Sequence, residues 1–431
     1  MGGGHHLRAI YAVRGFRNLL TARLVSQISD GWFQAGLAGS LLFNPTKHTS
    51  PIAIATGFAV LLLPYSLLGP YVGVFLDRWD RRASLSVANL VRAVLVIPAA
   101  LLIWQGNQAT LFALFALLVI AVNRFFLAGL SAALPRVVDD RELVTANAFS
   151  TTAGTIAFSI GLFSAASLVA TSMINTTSHG YAVIAAFAAI GYLASGLLTR
   201  ASFKPGELGP AAHERPVDTV ISAVVTVAKG MVGGFRHLAE RRAAARALVL
   251  TAAHRLLYGY LTLAVLLLYS RYFGKGTHEE TSQSLWALGQ VVIAGAAGAG
   301  IAALITPSAT RRFGARHWIT GLLVGIGVTL LVLGLPFKAG LLLIAAGLMN
   351  ICSQSIKILV DATLQHECDD AYRGRVFSLN DTAFNLSMVL GLFVAAATVP
   401  ANGKSAAALI TIAACYFLLA LWFSRASRPR P

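Results

Sequence analysis

Gly69-Pro70-Tyr71-Val72-Gly73-Val74-Phe75-Leu76-Asp77-Arg78-Trp79-Asp80-Arg81-Arg82 sets two Asp and three Arg between two long apolar runs. An ionised side chain in hydrocarbon costs at least about 2.5–3.5 kcal/mol, so a charged cluster with apolar runs on both sides belongs at a membrane surface. The stretch therefore reads as a short loop joining two membrane spans, and the fold follows from counting outward from it.

The composition agrees. Apolar residues make up 56% of the chain and charged residues only 12%, with a mean hydropathy of +0.70, too few charges to solvate a globular surface of this size. About twelve runs have the roughly 20 apolar residues needed to cross a bilayer. They cover approximately 20–43, 52–76, 84–104, 110–133, 147–172, 181–199, 247–270, 283–307, 318–335, 340–364, 379–400 and 405–424. The expectation is an all-α polytopic membrane protein in two six-helix bundles.

A net charge of +17 would point to nucleic acid in a soluble protein. Here topology accounts for it. With the N-terminus placed inside, the outside loops hold only Lys47, Arg271, Lys275, Lys338 and Lys404, and the spans hold Arg92, Arg124, Arg255 and Lys357. The other 25 of the 34 Lys and Arg, with Arg23 counted at the inner end of the first span, fall on the inside. That asymmetry is the positive-inside rule. It places both termini in the cytoplasm and excludes a nucleic-acid partner. The basic first eighteen residues lack a small-residue cleavage site, so no removable signal is expected. Cys352, Cys368 and Cys415 give no disulfide framework.

The chain also repeats. Arg78-Trp79-Asp80-Arg81-Arg82 matches Arg312-Phe313-Gly314-Ala315-Arg316, and Asp139-Asp140 matches Asp369-Asp370 at nearly the same offset. Two matches favour a duplicated six-helix half. The expected domains are residues 1–199, a linker at 200–246 and residues 247–431. In the linker, Val217, Val220, Ile221, Val224, Ala228, Met231, Phe235 and Leu238 form a helical stripe among eight basic residues. This is the pattern of an amphipathic helix on an anionic cytoplasmic surface, with a flexible tether as the alternative.

The loop's Gly73, Asp77, Arg78, Arg81 and Arg82 resemble the G-x-x-x-D-R-x-G-R-R pattern after the second helix of major facilitator superfamily transporters, with Asp80 where the family has its second Gly. Other stretches resemble the branch that holds bacterial siderophore, macrolide and lysophospholipid transporters. These are Gln27-Ile28-Ser29-Asp30-Gly31, Leu134-Pro135 to Ala146-Asn147, and Tyr372-Arg373-Gly374-Arg375-Val376-Phe377-Ser378. Two features depart from the family. Thr151 to Gly161 lacks the Gly-Pro pair of many antiporters, and Arg124 precedes Gly129 by five positions rather than four. The resemblance implies the major facilitator fold and a central cavity lined by helices 1, 4, 7 and 10. It also implies that Asp77 docks at the start of the eleventh helix when the cytoplasmic side closes, where Ser378 and Asp381 have the spacing of a capping box.

Polar stripes run along those same four spans. Arg23, Gln27, Asp30 and Gln34 fall within roughly 60° of one another at about 100° per residue. The seventh span carries Thr251, His254, Arg255, Tyr258, Thr262 and Tyr269. The tenth carries Asn350, Ser353, Gln354, Lys357 and Asp361, and the fourth Asn123, Arg124 and Ser131. Ionisable residues in a span face a wet cavity or a partner, so these are the candidate proton and substrate pathway. The alternative is helix packing, with Lys357 and Asp361 as a static i, i+4 pair. Asp30 is the candidate proton carrier, or else a carboxylate fixed to Gln27 or Gln34. Arg124, Arg255, Lys357 and His254 bias the pathway toward an anionic headgroup.

Gly298-Ala299-Gly300-Ile301-Ala302-Ala303 lies inside a span rather than after a strand, Gly403-Lys404-Ser405 lacks a phosphate-loop glycine, and His5-His6 is too little for a metal site. No cofactor and no metal are therefore expected, and Asn175-Thr176-Thr177 is only a formal glycosylation sequon. The functional expectation is a secondary active transporter of the bacterial plasma membrane, working as a monomer and exporting a small amphiphile against a proton or other ion gradient. The alternatives are a lipid or lysolipid flippase without proton coupling and a polytopic lipid-modifying enzyme. The enzyme lacks the clustered His, Asp or Glu it would need.

Overall fold

The structure is a computed structural model that describes residues 11–42, 50–106, 110–139, 142–170, 173, 178–210, 219–273 and 278–427. His5, His6, Lys47, Asp140, Asn175, Val217 and Lys275 lie outside these. The described residues form thirteen long helices. In the first half they are α1 (Arg14–Leu42), α2 (Pro51–Leu76), α3 (Arg81–Trp104), α4 (Thr110–Ala133), α5 (Leu143–Ala170) and α6 (Ser178–Ser202). The linker forms α7 (Val220–Glu240). The second half contributes α8 (Arg242–Leu267), α9 (His278–Phe313), α10 (Ala315–Thr329), α11 (Ala339–Glu367), α12 (Asp370–Thr398) and α13 (Ala406–Ala426).

A helix falls on each of the twelve expected spans, and α7 carries the linker stripe from Val220 to Leu238. Among the described residues, ten stretches are long and apolar enough to cross a membrane on length and composition alone. α1 is not among them: from Leu20 onward it carries Arg23, Gln27, Asp30 and Gln34, which lower its hydropathy. The chain is an all-α, multi-pass membrane protein.

The chain divides into two compact units. One comprises Met1–His48 with Leu67–Val227, the other Thr49–Ser66 with Ala228–Pro431. Within the first, α3 packs on α4 and α6, and α1 packs on α5 and α6. Within the second, the pairs α10 with α11 and α13, and α8 with α12 and α13, repeat that pattern helix for helix. The sequence duplication is thus also a duplication of packing.

Close crossings explain why the repeat keeps its glycines. A Cβ on Gly31 of α1 would collide with the Phe158 carbonyl of α5, and one on Gly161 of α5 with the Ile28 carbonyl of α1. In the second unit Gly259 of α8 stands against the Met388 carbonyl, and Gly391 of α12 against the Leu256 carbonyl. Where no water competes, small residues that let backbones touch are the main source of helix association.

Burial follows the membrane pattern. Ser26, Gln27, Asp30, Asn89, Arg92, Asn123 and His254 are inside, whereas Val87, Val91, Val94, Ile97 and Leu101 form an exposed apolar stripe on α3. Exposed apolar residues likewise mark α6 (Phe187, Ile190, Leu197), α10 (Val324, Val328) and α13 (Ile410, Leu418, Leu421). A surface of that kind is solvated by lipid.

Candidate functional site

The loop from Asp77 to Arg82 is held by its own charges. Asp80 is the N-cap of α3, its Oδ1 accepting the Ala83 N–H at 2.8 Å and its Oδ2 the Gly206 N–H at 2.5 Å. A cap of this kind satisfies amide donors that the helix leaves free. At the matching point of the repeat, Gly314 is the N-cap of α10 with φ +77° and ψ 149° and no side-chain cap bond. Only glycine adopts that backbone without strain. One connection is therefore made in two ways, and Asp80 substitutes a side-chain cap for glycine's conformational freedom.

The arginines of the loop bind carbonyls at helix ends, where a cation meets the negative end of the helix dipole. Arg81 donates from Nη1 to the Ala132 carbonyl at 2.9 Å, and Arg82 from Nη2 to the Arg200 carbonyl at 2.6 Å. Arg78 donates to the Val74 carbonyl within α2, near Gly73 in the same helix. Asp77 differs from its neighbours: its side chain is 61% exposed and lies 3.8 Å from the Arg81 guanidinium.

The expected capping box is corrected. α12 begins at Asp370, with Asp369 as its N-cap. Ser378 and Asp381 therefore lie two turns or more inside the helix, where their carbonyls accept from Thr382 and Asn385 side chains. The S-x-x-D spacing is present, but the helix had already formed upstream across Tyr372 to Phe377.

In the first unit the α1 stripe turns into a buried polar network. Asp30 is salt-bridged to Arg92 of α3. It also accepts from Gln27 Nε2 at 2.6 Å and from the Tyr192 hydroxyl of α6 at 2.8 Å. The Arg92 guanidinium stacks 3.8 Å from the centroid of the Tyr192 ring and donates from Nη1 to Ser26 Oγ and Asn89 Oδ1, each at 3.0 Å. Asn89 in turn donates to Ser195 Oγ at 2.8 Å. A buried charge needs a counter-charge with its remaining positions filled; this network supplies the counter-charge and, among the described residues, partners for both Arg92 Nη atoms, leaving only Arg92 Nε without one.

Arg23 of the same stripe donates to Ser150 of α5 at 3.1 Å, while Gln34 is half-buried. On α4, Asn123 is buried and Arg124 half-buried. Arg92 and Tyr192 were missed as partners of Asp30. The available signal was Arg92 itself, a lone cation in the middle of an apolar span.

In the second unit α8, α11 and α12 enclose a recess lined by Thr251, His254, Arg255, Lys357, Asp361 and Phe384. Lys357 and Asp361 pair at 2.5 Å, and both remain partly exposed to the recess. The Arg255 guanidinium lies 3.7 Å from the Phe384 ring centroid and 5.1 Å from that of Tyr258, and Lys357 reaches the same Phe384 ring at 5.9 Å. The buried ring of His254 has Nε2 at 2.9 Å from Ser353 Oγ and Nδ1 at 3.2 Å from the Tyr416 hydroxyl. Tyr258 donates to Asn350 at 3.2 Å, and Gln354 is half-buried on the same helix as Lys357. The structure thus gathers His254, Arg255, Lys357 and Asp361 at one recess. It adds Phe384, a cation–π partner that a search for polar residues passes over.

The comparisons with known proteins agree with the fold. The Major Facilitator Superfamily model matches residues 24–278. An uncharacterised MFS-type transporter of Mycobacterium tuberculosis is 35% identical over 401 residues, covering 92% of this chain and 88% of the relative. Macrolide efflux protein A of Streptococcus pyogenes is 22% identical over 88% of each chain. Among solved structures, the nucleoside transporter NupG superposes with a TM-score of 0.70 at 14% identity, covering 96% of this chain and 100% of that one. The POT family transporter PepTSo gives 0.67 at 12%, covering 96% and 98%. The chain belongs to the major facilitator superfamily. It is a transporter rather than an enzyme.

Proposed function

We propose that the protein is a secondary active transporter that works by alternating access between its two six-helix halves and exports a small amphiphilic molecule at the expense of a proton gradient. The observation that carries this reading is the recess where His254, Arg255, Lys357 and Asp361 meet inside a membrane bundle. Four ionisable groups gathered there have a use in moving a polar substrate or an ion, since the bilayer penalises each of them. The likeness to a macrolide efflux protein supports export.

Asp30 is the proposed proton carrier, because its charge is balanced by Arg92 from a different helix and any shift of α1 against α3 would alter that balance. The exposed Asp77 biases one of the two openings, and Arg78, Arg81 and Arg82 set the helix ends around it. Both termini lie in the cytoplasm, as the basic asymmetry implies, and the membrane is the bacterial plasma membrane. The protein works as a monomer.

Everted vesicles carrying the full chain, screened with drugs, siderophores and lysophospholipids with and without an acid interior, test the proposal. Gradient-dependent accumulation of one amphiphile class is expected. Equal movement of lysophospholipid with and without the gradient would favour lipid flipping instead.

A further inference from the structure

The apolar arc of α7 is wider than its seat on the protein. The side that docks carries Gly230, Gly234 and Leu238, with Leu238 fully buried. The neighbouring side carries Ile221, Val225, Ala228, Val232 and Phe235 at alternating spacings of four and three residues, one continuous stripe of the helix. Ile221 is 78% exposed and Phe235 54%. Exposed Lys229 and Arg236, seven residues apart, run along the edge of that stripe.

The docked side is fastened to the start of α12 by four separate contacts. Arg241 grips both carboxylate oxygens of Asp369 at 2.8 and 2.9 Å. The His237 ring stacks on Tyr372 with centroids 4.4 Å apart and planes 7° from parallel. His237 Nε2 also accepts the Asp369 N–H at 3.4 Å. Gly230 and Gly234 leave room for Arg375, whose side chain would meet a Cβ at either position within 3.0 Å. The helix start thus reaches α7 through Asp369, Tyr372 and Arg375, and the last two belong to the Tyr-Arg-Gly-Arg stretch.

We propose that α7 seats its exposed apolar stripe on an anionic lipid surface and passes that attachment through the Arg241–Asp369 and His237–Tyr372 clasp to the start of α12. The partner follows from chemistry. An apolar stripe edged by basic residues sinks into the headgroup boundary of a bilayer and draws negative lipid to it. A clasp on the docked side then makes the order of the α12 start depend on the charge of the leaflet. The inference stands apart from what is transported, and it goes beyond a linker that merely rests on the membrane.

Hydrogen exchange of the full-length protein tests it, in nanodiscs of phosphatidylcholine alone or with phosphatidylglycerol added. The amides of residues 221–240 and of residues 370–377 exchange more slowly with phosphatidylglycerol, by roughly fivefold for each of Lys229 and Arg236 engaged. Lys229→Glu with Arg236→Glu removes that dependence from both segments. His237→Ala with Arg241→Ala keeps it in α7 and removes it from the start of α12. Equal exchange in the two lipids would overturn the proposal, as would a lipid dependence that survives the charge reversal. A dependence at residues 370–377 that survives loss of the clasp would refute the coupling.

Discussion

Arg92 and Asp30 form the most heavily committed pair in the first unit, both nearly inaccessible and each the other's counter-charge. Removing one partner leaves a buried charge uncompensated, at about 3–5 kcal/mol. Arg92→Gln and Asp30→Leu should therefore each lower the unfolding midpoint of the purified protein sharply. The double substitution should recover a large part of the loss, as a double-mutant cycle will show. At Asp80, replacement by Ala should cost about 1 kcal/mol and replacement by Gly only a few tenths, since the repeat already makes this connection with Gly314. Equal losses in thermal melts would contradict the cap. Asp30 was legible from the polar stripe of its own helix. Arg92 and Tyr192 were not, because they reach it from helices 62 and 162 residues further along, and periodicity says which side of a helix is polar but not which helix it meets.

Helices were the legible level of this chain, since a bilayer forces every backbone amide to be satisfied within its own span. The amphipathic period of α7 could be read for the same reason that a lipid surface would select it. The start of α12 could not. Its N-cap, Asp369, makes no side-chain cap bond and is used instead to hold Arg241, so the spacing of Ser378 and Asp381 drew the boundary too late. At the crossing of α1 with α5, Gly161→Leu should block close approach and cost at least the 1–3 kcal/mol typical of overpacking. Gly391→Leu should do the same between α8 and α12. Size-exclusion profiles in mild detergent check both, and a monodisperse, wild-type-like peak from either variant would show that the crossing is not tight.

At the scale of the whole molecule, the duplicated packing of α1, α3, α4, α5 and α6 in α8, α10, α11, α12 and α13 is what a two-bundle transporter needs, and the halves differ where function would differ. The first half keeps Asp77 and the Asp30 network, and the second gathers its cations around Phe384. If those cations recognise an anionic headgroup, Arg255→Gln with Lys357→Gln should cut uptake of anionic amphiphiles by tenfold or more, about 1.4 kcal/mol, and spare cationic ones. Equal losses for both would refute the preference. The central claim is proton-driven transport through Asp30, and it is tested most directly by Asp30→Asn in proteoliposomes given the substrate found in the vesicle screen. Wild type should accumulate that substrate when a pH gradient is imposed and only equilibrate it without one, whereas Asp30→Asn should equilibrate it in both cases. Undiminished gradient-driven accumulation by Asp30→Asn would contradict the account.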